Sequence, residues 1–358
     1  MEFKITKVDP EDRKPVHTEP STLGFGRIFT DHMFTMKYAP NEGWYEPEIG
    51  PYRELLLDPA CMVLHYGQEV FEGLKAYHGE DNGVYLFRHR DNLERMNRSC
   101  DKLVMPRFDI DLASEAIKQL VLMERHWIPT HEGCSLYIRP TMIATDPFLG
   151  VRPSETYLFY IIVGPVGAYY AEGFNPVSIY VSDHYVRAVK GGVGEAKTAG
   201  NYAASLAGQI EAKEKGFTQV LWLDAIERKY IEEVGTMNIF FVIGDEIITS
   251  PLTGTILPGV TRDSVLQLGK HWGLNTVERM LSIDEVLAAQ ADGSLKEVFG
   301  SGTAAIISPV KEIRYKDDDF LVGDGKTGPI ANRFYEALLD FQYGRQKDPF
   351  GWVERIDT

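Results

Sequence analysis

Apolar positions along the 358-residue chain change their spacing repeatedly, from continuous runs to intervals of three and four and back. VYLF (84–87) is a short apolar run, and helical spacing follows it, with Leu93, Met96, Cys100 and Leu103 on one stripe. Asp91, with Glu94 three places on, reads as the N-cap of that helix. A second amphipathic helix is expected over 112–125. CSLYIRPTMI (134–143) alternates as a strand that should stop near Pro140, because proline brings no N–H to a ladder. TYLFYIIVGPVG (156–167) is a nearly unbroken apolar strand that closes on glycine and proline.

AYYAEGFNP (168–176) has loop composition, and VSIYVS (177–182) reopens strand spacing. A glycine-rich segment then leads to a helix from about Asn201, with Tyr202, Leu206 and Ile210 one above another and Gly216 as its stop. QVLWLD, NIFFVI and EIITS read as short strands, the last two joined by a turn at Gly244-Asp245. Capped helices follow Thr261 and Ser282, the second with Glu285 completing a capping box. No internal repeat emerges. Single cores stop growing at about 250 to 300 residues, so two domains are expected. We divide the chain into 1–165, a mixed α/β domain, an interdomain loop at 166–176, and a second domain at 177–358.

Composition narrows the partners. Hydrophobic residues make up 44% and charged residues 25%, which suits a globular protein. The net charge of -15 repels nucleic acid and anionic membranes, so small molecules are the expected partners. Cys61, Cys100 and Cys134 form no CxxC and no ligand-like group with histidine, so neither a disulfide framework nor a metal site is expected. The polar N-terminus, with no apolar signal core, points to the cytoplasm.

GGVGEAKTAG (191–200) sets Lys197 just ahead of a helix. The string departs from the phosphate loop GxxxxGK[ST] by Ala196, whose Cβ restricts the backbone where the loop wraps phosphate. Alternatively, small neighbours would let a flat carbonyl cofactor, pyridoxal phosphate, approach a lysine nucleophile. A solvated lysine is the ordinary fate of this residue type. Other segments carry what such a cofactor needs. LPGVTRD offers a helix N-terminus for phosphate, and GSGTAAI (300–306) a second glycine-rich turn, where ordinary capping serves as well. Glu232 and Glu233 offer a carboxylate for a ring nitrogen, and alternation should send only one of them inward. Ser135, Tyr137 and Arg139 share one face of their strand, a phenol and a guanidinium suited to a carboxylate.

Taken together, LHYGQEVFEGLKAY, LFRHRDNLERM, LYIRP, GGVGEAKTAGNYAAS, EEVGTMNIF, LPGVTRD and GSGTAAIISPV, in that order, resemble the branched-chain amino acid aminotransferases of the fold type IV pyridoxal-phosphate enzymes. The resemblance implies a small N-terminal α/β domain, a larger C-terminal pseudobarrel domain and a homodimer or higher homo-oligomer. It implies transamination of L-leucine, L-isoleucine and L-valine with 2-oxoglutarate, by ping-pong kinetics. Lys197 matches the Schiff-base lysine, Glu233 the partner of the pyridine nitrogen, Tyr202 the phenol beside the ring oxygen and Arg95 the cation on phosphate. Val260, Thr261 and Thr303 match the remaining phosphate contacts. Tyr66, Tyr137 and Arg139 match the substrate's carboxylate-binding groups, with N–H donors from Thr303-Ala304, and Phe25, Phe71 and Tyr169 match the apolar walls. Ala305 and Ser308 stand where some relatives carry a CxxC thiol switch, so none is expected here. A D-amino acid aminotransferase or aminodeoxychorismate lyase would share the cofactor residues but not the LYIRP and HYGQEVFEG sets.

Overall fold

The computed structural model describes residues 3–167 and 174–357. The chain forms two compact units, Met1–Tyr169 with Ala196–Ala199 and Leu339–Thr358, and Tyr170–Glu195 with Gly200–Leu338. Part of the interdomain loop expected at 166–176, including Tyr169, lies outside the described residues.

The first unit is built on a nine-stranded, almost wholly antiparallel sheet. From one edge its strands run Lys4–Ile5, Gly43–Pro51, His32–Ala39, Tyr157–Val166, Ser135–Ala144, Leu74–His78, Val84–Phe87 and Val353–Arg355, with Glu69–Phe71 also on Ser135–Ala144. That central strand does not stop at Pro140. Leu74 lies opposite Ile138 and Phe71 opposite Thr141, so the missing N–H falls across from the break at 72–73, where one neighbour hands over to the other. The carbonyl of Pro140 still accepts the N–H of Glu72 at 2.8 Å.

Helices His89–Lys102 and Ile110–Met123 belong to this unit. Leu93, Met96 and Cys100 are fully buried in its core, as their spacing predicts. The expected cap is corrected: the helix starts three residues earlier, after Arg88 in the left-handed region, and the Asp91 carboxylate pairs with Arg88 Nε at 2.6 Å. A charge-assisted contact has taken the oxygen that would have capped the helix. Residues 339–358, placed by sequence in the second domain, also need correction. Val353 pairs with Phe87 and Arg355 with Tyr85, which ties the C-terminus into the first sheet.

In the second unit, strand pairing closes a ring. Val177–Val181, Gln219–Leu223, Ile231–Val234, Met237–Ile243, Leu295–Gly302 and Ile306–Tyr315 each pair with two others of the six. Closure removes open edges and gives the pseudobarrel expected of this half. Ser282 caps its helix as predicted, its hydroxyl accepting the Glu285 N–H at 3.1 Å. Helix Ala199–Glu214 turns Leu206 and Ile210 to solvent, 56% and 57% exposed, and buries Ser205, Gly208 and Ala212. Small residues are needed there because Gly208 lies so close that a Cβ would stand 2.5 Å from the Trp222 ring.

Candidate active site

Lys197 is pinned through its backbone. Its N–H donates to Ser99 Oγ at 2.9 Å, and its carbonyl accepts the Phe71 N–H at 3.0 Å. Thr198 bridges to Val70, and its hydroxyl donates to the Glu69 carbonyl at 2.7 Å. The lysine segment thus extends strand Glu69–Phe71 and braces against helix His89–Lys102, which fixes the base of a long side chain. Lys197 Nζ lies 5.0 Å from the centroid of the Phe71 ring.

Beside it, Glu72 is fully buried and gripped on both oxygens. Arg95 donates from Nε to Oε1 at 2.7 Å and from Nη2 to Oε2 at 2.9 Å, while Asn92 and the Gly73 N–H reach Oε2 at 3.0 and 3.1 Å. Burial pushes the carboxyl up, but the charges of Arg95 and Lys197 outweigh it and hold the group below the usual carboxylate range. Arg95, expected on a phosphate, is therefore oriented by a carboxylate that sequence reasoning passed over inside its own VFEGL string.

Tyr137 and Arg139 come together as the one-face reading of LYIRP requires, and Phe25 and Phe71 pack against them. Arg139 Nη2 donates to Tyr137 Oη at 3.1 Å, and its guanidinium lies 4.8 Å from the Phe71 ring centroid. Phe25 meets Tyr137 edge to face at 4.9 Å. Gly73 permits this packing, since a Cβ there would lie 2.0 Å from Tyr137 Oη. Tyr66 ends helix Met62–Tyr66 and donates its hydroxyl to the carbonyl of Leu149. Tyr169 lies outside the described residues.

In the second unit, Glu233 is 2% exposed and ion-paired with Arg187, Nε to Oε2 at 2.6 Å. Asn238 Nδ2 bridges Glu233 Oε1 and the carbonyl of Leu257, each at 3.0 Å. Leu257 leads into helix Val260–His271, so the same amide fixes the carboxylate and the approach to a helix N-terminus. Gly259 precedes that helix with no side-chain cap, and a Cβ there would collide with Asn238 Oδ1 at 2.0 Å. Val260 and Thr261 are its first two residues. Tyr202 shares a small recess with Arg187, Asn201 and Ser205. Thr303 and Ala304 occupy the turn between Leu295–Gly302 and Ile306–Tyr315.

The alternation expected of Glu232 and Glu233 fails. Trp222 pairs with Glu233 but Leu223 with Ile231, so Glu232 is an extra residue in a β-bulge and both carboxylates are buried. Arg187 and Asn238 are the other residues missed. Asn238 stood inside the quoted EEVGTMNIF, whereas Arg187, in an irregular stretch, left no periodic signal.

The first unit holds Lys197 by its backbone, and the second unit sets a buried carboxylate and a helix start without a side-chain cap on its six-stranded ring, within a mixed α/β fold. The family model described as amino-transferase class IV matches residues 69–313, and the chain belongs to that family. It is 55% identical to the branched-chain-amino-acid aminotransferase 2 of Bacillus subtilis (strain 168), covering 99% of this chain and 98% of the relative. It is 54% identical to the branched-chain-amino-acid transaminase 1 of the same strain, with 94% and 95% covered. Among solved structures it resembles the branched-chain amino acid aminotransferase of Escherichia coli, at 30% identity and a TM-score of 0.73 over 92% of this chain and 99% of that one. It also resembles the branched-chain aminotransferase of the thermophilic archaeon Thermoproteus uzoniensis with norvaline, at 26% identity and a TM-score of 0.73 over 91% and 99%.

Proposed function

We propose that this chain is a branched-chain amino acid aminotransferase that moves the amino group of L-leucine, L-isoleucine or L-valine to 2-oxoglutarate. The observation that carries the reading is the pinned Lys197, in a chain 55% identical along nearly its whole length to an aminotransferase of that name. Pyridoxal phosphate suits the donor set: a placed primary amine, a buried carboxylate for a ring N–H, an uncapped helix start and an arginine for a phosphate dianion. When bound, that cofactor supplies a carbonyl that a primary amine can join and a ring that withdraws electrons.

The chain's own residues do the rest. Lys197 Nζ would hold the cofactor until the substrate amine replaces it, and the freed amine would then carry the proton away from the substrate α-carbon. Glu233, its position set by Arg187 and Asn238, accepts the ring N–H and stabilises its charge. Val260, Thr261 and Thr303 give N–H and hydroxyl groups to the phosphate, Arg95 adds a cation, and Tyr202 meets the ring oxygen. Arg139, Tyr137 and Tyr66 receive a substrate carboxylate, with N–H donors from Thr303-Ala304 and apolar walls from Phe25, Phe71 and Tyr169. Amino acids and 2-oxo acids are the partners, and the protein works as a cytoplasmic homodimer. All three cysteines are free and buried, in keeping with a reducing compartment.

Borohydride reduction of the full-length protein with pyridoxal phosphate should fix one cofactor mass on Lys197, and the untreated protein should transaminate all three amino acids. A label on another residue, or none, would overturn the reading.

A further inference from the structure

The second unit contains a cavity of about 280 Å³ that the proposed chemistry does not use. Most of its polar lining is already committed. The Asp224 carboxylate accepts the backbone N–H groups of Ile226, Glu227, Lys229 and Tyr230 at 2.7 to 3.1 Å, which fixes a loop. The Ser250 hydroxyl donates to the carbonyl of Ile231.

Glu232 is different. It lines the cavity, is only 7% exposed, and accepts the Thr255 hydroxyl at 2.5 Å on Oε1. Its Oε2 is buried and has no hydrogen-bond partner among the described residues. The nearby Arg187 does not fill that gap: it pairs with Glu233 and donates to the carbonyls of Thr255 and Gly194. Lys190 also lines the cavity, but it is exposed and leaves that oxygen unbonded. A buried carboxylate oxygen left unpaired costs free energy that a purely structural glutamate would not incur. Burial holds the Glu232 carboxyl above the usual carboxylate range, outweighing the Thr255 hydroxyl and the charge of Arg187. Around it, Ile231, Ile256 and Met280 give the cavity apolar walls, and Ile226 stands 82% exposed.

We propose that this cavity is a binding site for a small amphiphilic organic cation, with its charged nitrogen on Glu232 and its apolar body against Ile226, Ile256 and Met280. A buried charge beside apolar walls is a usual feature of a small-molecule pocket. The cation restores the missing partner of Oε2, and its apolar body covers Ile226 and Met280, which are otherwise left to water.

N,N-dimethylbenzylamine tests this well, because a tertiary amine cannot condense with a carbonyl cofactor. Calorimetric titration of the full-length protein should show saturable binding of the amine and none of uncharged N,N-dimethylbenzamide. Glu232→Gln should weaken binding by about tenfold to a hundredfold, the range for a charged hydrogen bond. Ile226→Trp, which narrows the cavity from an exposed position, should weaken it while Glu232 stays intact. If Glu232→Gln does not fold, Ile226→Trp decides alone. Absence of saturable binding, equal binding of the amide, unchanged affinity in the folded variants, or displacement by leucine would each overturn the proposal.

Discussion

Arg139 combines a charge that suits a carboxylate with a flat face that lies against Phe71, the residue we propose as a wall of the substrate pocket. In the proposed reaction, the distal carboxylate of 2-oxoglutarate leans on Arg139 more than leucine does. Arg139→Met should therefore lower kcat/KM for 2-oxoglutarate by about a hundredfold, the scale of a lost charged hydrogen-bond pair, and that for leucine by much less. Half-reaction kinetics separate the two, and equal losses would refute the division of labour. Lys75 offers a second test, independent of function. It is buried, and burial pushes its ammonium down to about 8 from the ordinary 10.5. Between those two pH values the folded chain binds fewer protons than the unfolded chain, so this lysine makes stability rise with pH, by at most about 1.4 kcal/mol per unit. Lys75→Met should be the more stable protein at neutral pH, with an advantage in urea unfolding that shrinks as pH climbs through that window. A constant difference would show that Lys75 does not titrate there. Single residues were legible as neighbours where alternation put them on one strand face, as for Tyr137 with Arg139. Glu72 and Arg187 were not, because their importance lies in which charge they hold, and ion pairing across a fold leaves no local spacing.

Elements were legible where one local rule acted unopposed. Ser282 had nothing better to do than cap its helix, whereas Asp91 had Arg88 within reach. The same competition governs helix Ala199–Glu214, whose apolar stripe at Tyr202, Leu206 and Ile210 suggests one buried face while Gly208 and Ala212 form another. Close approach to Trp222 decides it, since only a face without bulk reaches the ring. An interior helical glycine replaced by alanine ordinarily gains about 0.5 to 1 kcal/mol. Here the added methyl overpacks a fully buried tryptophan, at a cost of about 1 to 3 kcal/mol, so the packing loss exceeds the propensity gain. Gly208→Ala should lower the urea midpoint, with a shifted Trp222 emission as its local signature. A raised midpoint would mean that the helix can move outward freely. The bulge at Glu232 escaped detection for a related reason: alternation assumes an unbroken ladder, and one inserted residue cancels it.

At the scale of the whole chain, the two-part organisation and the closed strand ring were legible from length and from the family resemblance, but the return of the C-terminus was not. Strand Val353–Arg355 has only three residues, too few for a periodic signal, and its place comes from a distant partner. Trp352 makes that return worth having. It is 7% exposed, stacks on Phe350 at 4.1 Å and meets Phe87 edge-on at 5.8 Å, while its carbonyl accepts the Arg88 N–H at 2.7 Å. Ile356 N–H adds a 2.9 Å bond to the Val84 carbonyl. Ending the chain at Gly344 would strip these contacts and leave Val84–Phe87 as an open, apolar edge, a template for pairing between molecules. Trp352→Ala keeps the strand but loses the ring, which should cost about 3 to 5 kcal/mol. The expected order of Tm is therefore full length, then Trp352→Ala, then the truncated chain, with concentration-dependent aggregation confined to the last. Scanning calorimetry with light scattering reads both quantities at once. A truncated chain that melted with the full-length protein and stayed monodisperse would mean that the terminal strand is a surface appendage instead of the closing edge of the first sheet.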